Sequence, residues 1–157
     1  MLQRKQTIYL FFAGLITIIL LFISFGNFEI EGISCLQYGA FSVKTITEKE
    51  VIVSTLGNAL LLIASAALSF ITIFLYHNRK LQAKLISLNM LVILLAIFTI
   101  LYIYPKFVFS KNSNFYNTTL KWDYLFLICF VIPLGLYLSK KAIHNDEALL
   151  RRAERLR

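Results

Sequence analysis

The chain has 157 residues, 59% of them hydrophobic, and a mean hydropathy of +0.74, against the ~45–50% apolar content of soluble chains. Its formal net charge of +8 arises from 16 Lys/Arg and 8 Asp/Glu, and none of these, nor either histidine, falls within 8–25, 51–76, 85–104 or 124–139. A water-soluble domain needs a wet face on every element, so segregation this complete excludes one and predicts helices surrounded by hydrocarbon.

A bilayer core of roughly 30 Å is crossed by about 20 helical residues. The first expected span, 7–25, follows a charged start and runs into a small-x-small triplet, Ser24-Phe25-Gly26. The 18-residue uncharged run 8–25 exceeds the ~7–15 of a signal-peptide core, so it reads as a retained helix. The outside loop 26–50 alternates apolar and polar residues around Gly32 and Gly39, which predicts a small β-hairpin capping the helices. The second span, 51–76, is long and carries Gly57, Ala59, Ala64, Ser65, Ala66, Ala67 and Ser69. Small residues let helices approach closely in lipid, so this helix is expected at the centre of the bundle. The short connection 77–84 makes the second and third helices antiparallel neighbours.

The third span is 85–104, ending before Pro105. The outside loop 105–121 mixes Phe107, Phe109, Phe115 and Tyr116 with polar residues; it either adds a strand to the hairpin or lies at the interface. The fourth span, 122–140, is short unless Trp122, Asp123 and the snorkelling Lys140 and Lys141 extend it. Pro133 and Gly135 predict a kink in it. In the tail 141–157, Asn145 suits an N-cap, and Leu149, Ala153 and Leu156 form an apolar stripe. The tail is an amphipathic helix on the membrane or a straight continuation of the fourth helix, both favoured over a dedicated docking element for a partner. The fold class expected is an all-α membrane protein, a single-domain four-helix transmembrane bundle with a small hairpin outside.

Location explains the basic excess. Arg4 and Lys5, then Arg79, Lys80 and Lys84, then Lys140, Lys141, Arg151, Arg152, Arg155 and Arg157 all fall on one side of a four-span chain. The positive-inside rule places that side, and both termini, in the cytoplasm. All of these but Arg157 are the candidate contacts to anionic headgroups. The basic charge is therefore topology and lipid attraction, not a nucleic-acid footprint.

Little catalytic chemistry is encoded. Cys35 and Cys129 are read as unpaired thiols, His77 and His144 are isolated, and no metal-ligand spacing exists. No catalytic residue, cofactor or metal is expected. Among the polar residues within the spans, Asn58 and Asn89, with Ser54 and Ser87, are those to weigh as substrate ligands; they read instead as interhelical hydrogen bonds, Asn58 nearer the outer end and Asn89 nearer the cytoplasmic one. Two function classes remain. One is a structural or accessory protein whose partners are the bilayer and a membrane protein or second copy. The other is a small-molecule transporter or oligomeric channel component, disfavoured by the absence of ionisable groups in the spans.

Three segments carry a resemblance: Met1-Leu2-Gln3-Arg4-Lys5-Gln6-Thr7-Ile8-Tyr9-Leu10, His77-Asn78-Arg79-Lys80-Leu81-Gln82, and Asp146-Glu147-Ala148-Leu149-Leu150-Arg151 with the closing Arg155-Leu156-Arg157. They resemble the bacterial family of small membrane proteins known as domain of unknown function 4293. The resemblance implies four spans and a bacterial inner membrane, and implies no chemistry.

Overall fold

The computed structural model describes residues 3–30, 33–47, 50–75, 78–111 and 118–155. The order is α1 (Gln3–Leu20), β1 (Ser24–Ile30), β2 (Ile33–Gly39), β3 (Ser42–Thr45), β4 (Val51–Ser54), α2 (Leu56–Phe74) and α3 (Arg79–Phe98). A π-helical turn (Thr99–Ile103), α4 (Tyr104–Lys111), β5 (Thr118–Trp122), a 3-10 segment (Tyr124–Phe130) and α5 (Val131–Arg155) complete it.

The expectation of an all-α bundle is overturned by a five-stranded antiparallel sheet ordered β4-β3-β2-β1-β5. The alternation read as a hairpin extends across both outside loops, and β5 adds beside β1. Absence of charge was the misleading signal, because it cannot tell burial in lipid from burial beneath a sheet. Thus 51–54, Val-Ile-Val-Ser, is a strand, as its β-branched residues favour, and α2 starts only at Leu56. Likewise α1 stops at Leu20 and Ser24 already belongs to β1.

One face of the sheet is apolar. Phe28 pairs with Leu36 and Leu120, and Tyr38 with Val43, which pairs in turn with Val53; all are buried except the half-buried Leu120. The other face carries the cross-strand row Lys121, Asn27, Gln37 and Lys44. A sheet with one apolar face must cover it. The chain connections bring all the strands to one end of the helices, and that end is the cover. Phe25 bulges out of the β1–β2 ladder and is fully buried, edge-to-face with Tyr38 at 5.4 Å and with Phe126 at 5.8 Å between ring centroids. Phe28 meets Phe109 of α4 at 5.5 Å.

Below the sheet the long helices pack in a ring: α1 on α2 and α5, α3 on α2 and α5. The small residues of α2 make it one corner of this ring rather than its centre. They do permit close approach, since a Cβ on Gly14 of α1 would stand 3.2 Å from both Ser69 and the Phe70 ring. Pro133 lies in the first turn of α5, where a missing N–H costs least, so a 3-10 to α transition replaces the expected kink. From there α5 continues to Arg155, which settles the backbone of the tail as a continuation.

Among the described residues, three helical stretches are long and apolar enough to cross a membrane: Leu56–Phe74, Arg79–Ser110 and Tyr124–Asn145. The apolar part of α1, Gln6–Leu20, is shorter.

Candidate functional site

The polar side chains buried at the sheet–helix junction originate in one proline. Sequence alone ends the third helix before Pro105, yet helical geometry passes through it. Proline has no N–H and its ring crowds the preceding turn. The π-helical turn absorbs this: the Tyr104 N–H bonds to the Thr99 carbonyl, five residues back, instead of to Ile100. Pro105 has no N–H to offer Ile100 in that register either, so the Ile100 carbonyl needs a donor from elsewhere.

The sheet supplies it. The Tyr38 hydroxyl, on β2, donates to the Ile100 carbonyl at 3.2 Å. Asn58 on α2 donates from Nδ2 to the Tyr38 oxygen at 3.2 Å, and its Oδ1 accepts from Thr99 Oγ1 at 2.5 Å. The same Thr99 hydroxyl lies 2.8 Å from the Ala96 carbonyl. Because Thr99 and Ile100 are adjacent, the hydrogen bonds close a circuit through β2, α2 and the π-helical turn. Tyr38 and Asn58 are fully buried. Burial pushes the Tyr38 phenol well above its ordinary value, with the Asn58 hydrogen bond pulling the other way.

Two more clasps join sheet to helices. Thr55, between β4 and α2, donates from Oγ1 toward the Gly39 and Ala40 carbonyls, both at 3.0 Å, and its N–H bonds to the Phe41 carbonyl at 2.9 Å. Ser24 donates to Asp123 Oδ2 at 2.6 Å while the Asp123 N–H bonds to the Phe25 carbonyl at 3.0 Å. Gly26 makes this corner possible, because a Cβ there would stand 2.5 Å from the Lys121 carbonyl oxygen. On the outer side Lys121 Nζ pairs with Glu29 Oε2 at 2.6 Å.

Farther from the sheet, Asn89 on α3 donates from Nδ2 to Ser69 Oγ on α2 at 2.8 Å, and Ser69 donates to the Ser65 carbonyl at 3.0 Å. Asn89 Oδ1 and Ser65 Oγ are buried without hydrogen-bond partners. Gln82 Nε2 on α3 donates to the Thr72 carbonyl on α2 at 3.2 Å. Asn58 and Asn89 therefore belong to separate networks.

Among the headgroup candidates, Lys80 and Lys84 are exposed on the first turns of α3 and border, with Asn78 and Leu81, a surface depression of about 270 Å³. Arg79 is half-buried, with Nη1 lacking a hydrogen-bond partner. Lys140 is half-buried and Lys141 exposed on α5. The side chains of Arg4, Lys5, Arg151, Arg152 and Arg155 lie outside the described residues, as does that of Cys35; Cys129 is a buried free thiol. Sequence reasoning missed Tyr38 and Thr99. The legible signal was Pro105, followed by apolar residues at helical spacing whose carbonyl bookkeeping demanded an outside donor.

No curated protein matches the chain. The model of the family described as Domain of unknown function (DUF4293) matches residues 2–156. On that match, over nearly its whole length, the protein belongs to the DUF4293 family.

Proposed function

We propose that the protein is a non-catalytic accessory component of the bacterial inner membrane that acts by binding lipid or a membrane partner. It spans four times, the shorter α1 making the first crossing and the three longer stretches the rest, with both termini in the cytoplasm and the sheet on the periplasmic side. The observation that carries this reading is how the buried polar groups are used. Asn58, Tyr38 and Thr99 are consumed in joining sheet to helices, and Asn89, Ser69 and Gln82 in joining α2 to α3. Groups spent on assembly are not poised to act on a substrate. What remains for interaction is the surface: lipid-facing helices, the outer row of Lys121, Asn27, Gln37 and Lys44, and the basic end of α3.

Purification of the full chain in mild detergent, followed by mass spectrometry of what accompanies it, tests the proposal. A stoichiometric protein or a lipid class enriched over the bulk membrane is expected. A lone chain carrying lipids at bulk ratios overturns it. A reporter active only in the cytoplasm, fused to Arg157, should give signal; silence reverses the topology.

A further inference from the structure

Two departures from α-helical geometry face each other across one groove. The π-helical turn contributes Leu101, and the 3-10 segment contributes Tyr124, Phe126, Leu127 and Phe130; Trp122 and Asp123 complete the lining. The cavity is about 350 Å³, within the ~300–1,000 Å³ typical of small-ligand clefts. Both irregularities are of kinds that recur at functional sites, and a seven-residue 3-10 run exceeds the usual 3–4.

The 3-10 geometry shapes the wall. At three residues per turn, side chains three apart eclipse one another. Tyr124, Leu127 and Phe130 therefore stand in a straight exposed column, while Phe126 and Cys129 turn inward. Trp122 stacks on Phe126 at 4.9 Å and closes the sheet end. The result is an apolar trough at the level where the uncharged helix begins.

Among the lining residues Asp123 alone bears a carboxylate. This half-buried carboxylate accepts the Ser24 hydroxyl and has no ion-pair partner among the described residues. The neighbouring Lys121 is already held by Glu29. An uncompensated carboxylate at the rim of an apolar trough calls for a ligand with a hydrocarbon chain and a cationic head.

We infer that the groove between the π-helical turn and the 3-10 segment binds an aminophospholipid, with an acyl chain along the Tyr124–Leu127–Phe130 column and the ammonium on Asp123. The inference rests on the membrane-embedded reading above and names the lipid class and site. A headgroup with no cation gains nothing at Asp123 and is repelled by it.

Trp122 is the chain's single tryptophan, so its fluorescence reports contact with brominated acyl chains. The full chain is reconstituted in phosphatidylglycerol vesicles containing a small, equal fraction of brominated phosphatidylethanolamine or brominated phosphatidylglycerol. The ethanolamine lipid should quench about two- to fivefold more strongly, the worth of one partly exposed ion pair. Asp123→Asn, which keeps an acceptor for Ser24, should erase the difference, and Asp123→Glu should restore it. Equal quenching by both lipids, or a preference that survives in D123N, overturns the inference and leaves the membrane reading standing. If neither lipid quenches Trp122, the membrane reading falls with it.

Discussion

Two asparagines, one at the sheet junction and one farther along the helices, show how differently this protein treats buried polarity. Asn58 uses both ends of its amide at the sheet junction, donating to Tyr38 and accepting from Thr99. Asn89, between α2 and α3, donates to Ser69 and leaves its carbonyl oxygen without a partner. Both are fully buried. The difference lies in what surrounds them. At the junction three kinds of backbone meet, and a strand delivers a hydroxyl to a carbonyl that Pro105 has stranded. Between two regular helices, most main-chain groups are already paired within each helix, and an amide has only side chains to turn to.

The same contrast holds for the glycines that let elements touch, and here the largest effect is expected. At Gly26 a new Cβ would run into the Lys121 carbonyl and the Trp122 backbone, which cannot move without unpairing β1 from β5. Gly26→Ala should cost more than about 3 kcal/mol and remove most folded protein, read as loss of the monodisperse peak in detergent. At Gly14 the obstacle is a phenyl ring and one side-chain carbon. Gly14→Ala should cost about 1 kcal/mol, because the Phe70 ring can turn aside and α2 need shift only slightly to clear the Ser69 Cβ. Equal losses in the two variants would show that the junction is no more rigid than the helix seam.

Next come the amides themselves. Asn58→Leu strips the circuit of a donor and an acceptor, leaving the Tyr38 oxygen and the Thr99 hydroxyl with fewer partners, and should cost about 2–3 kcal/mol. A double-mutant cycle with Tyr38→Phe, followed by thermal melting in detergent, should give a coupling of about 1 kcal/mol. Additive losses would mean that the hydrogen bonds do not act as a unit.

Alkaline pH, read as the difference between the native chain and Tyr38→Phe, addresses the junction. The buried Tyr38 phenol is held above its ordinary value by desolvation, so the folded chain keeps a proton that the unfolded chain releases near pH 10. Its contribution is fully present below about pH 10 and is lost as pH rises from there toward the folded value. The stability difference between the native chain and Tyr38→Phe should therefore be flat from neutral pH to about 9 and shift against the native chain above 10. A difference independent of pH throughout would show that Tyr38 is not sealed from solvent.

How much of this was readable from residue letters follows the same division. The helices declare themselves through uncharged runs of about 20 residues, a length that suits a helix and exceeds a strand, and the tight 77–84 connection placed α2 against α3. The first residues of β1, 24–25, and the whole of β4, 51–54, were hidden inside those runs, since Phe25, Val51 and Val53 are as apolar as any span. The rest of β1, 26–30, lay in the loop whose alternation predicts a hairpin, whereas four residues at 51–54 are too few to outvote the missing charge. Asn58 and Asn89 looked equivalent on paper. Only the register that carries Tyr38 over the π-helical turn tells them apart, and that register depends on pairings between 33–39 and 42–45 that no local pattern specifies.

The smallest expected effect is at Asn89, and it is the most discriminating. Removing a partly satisfied buried group differs from removing a fully satisfied one: the amide has already lost water around Oδ1 without regaining a bond, and that cost disappears with it. Ser69 keeps an acceptor in the Ser65 carbonyl when Asn89 is gone. Asn89→Leu, similar in volume, exchanges one interhelical hydrogen bond worth about 0.6 kcal/mol for apolar contact between α2 and α3. Thermal melting in detergent should shift by less than about 0.5 kcal/mol in either direction. A loss matching that of Asn58→Leu would mean that Oδ1 is engaged after all, by an ordered water shared with Ser65 Oγ, and the two regions would then obey one rule instead of two.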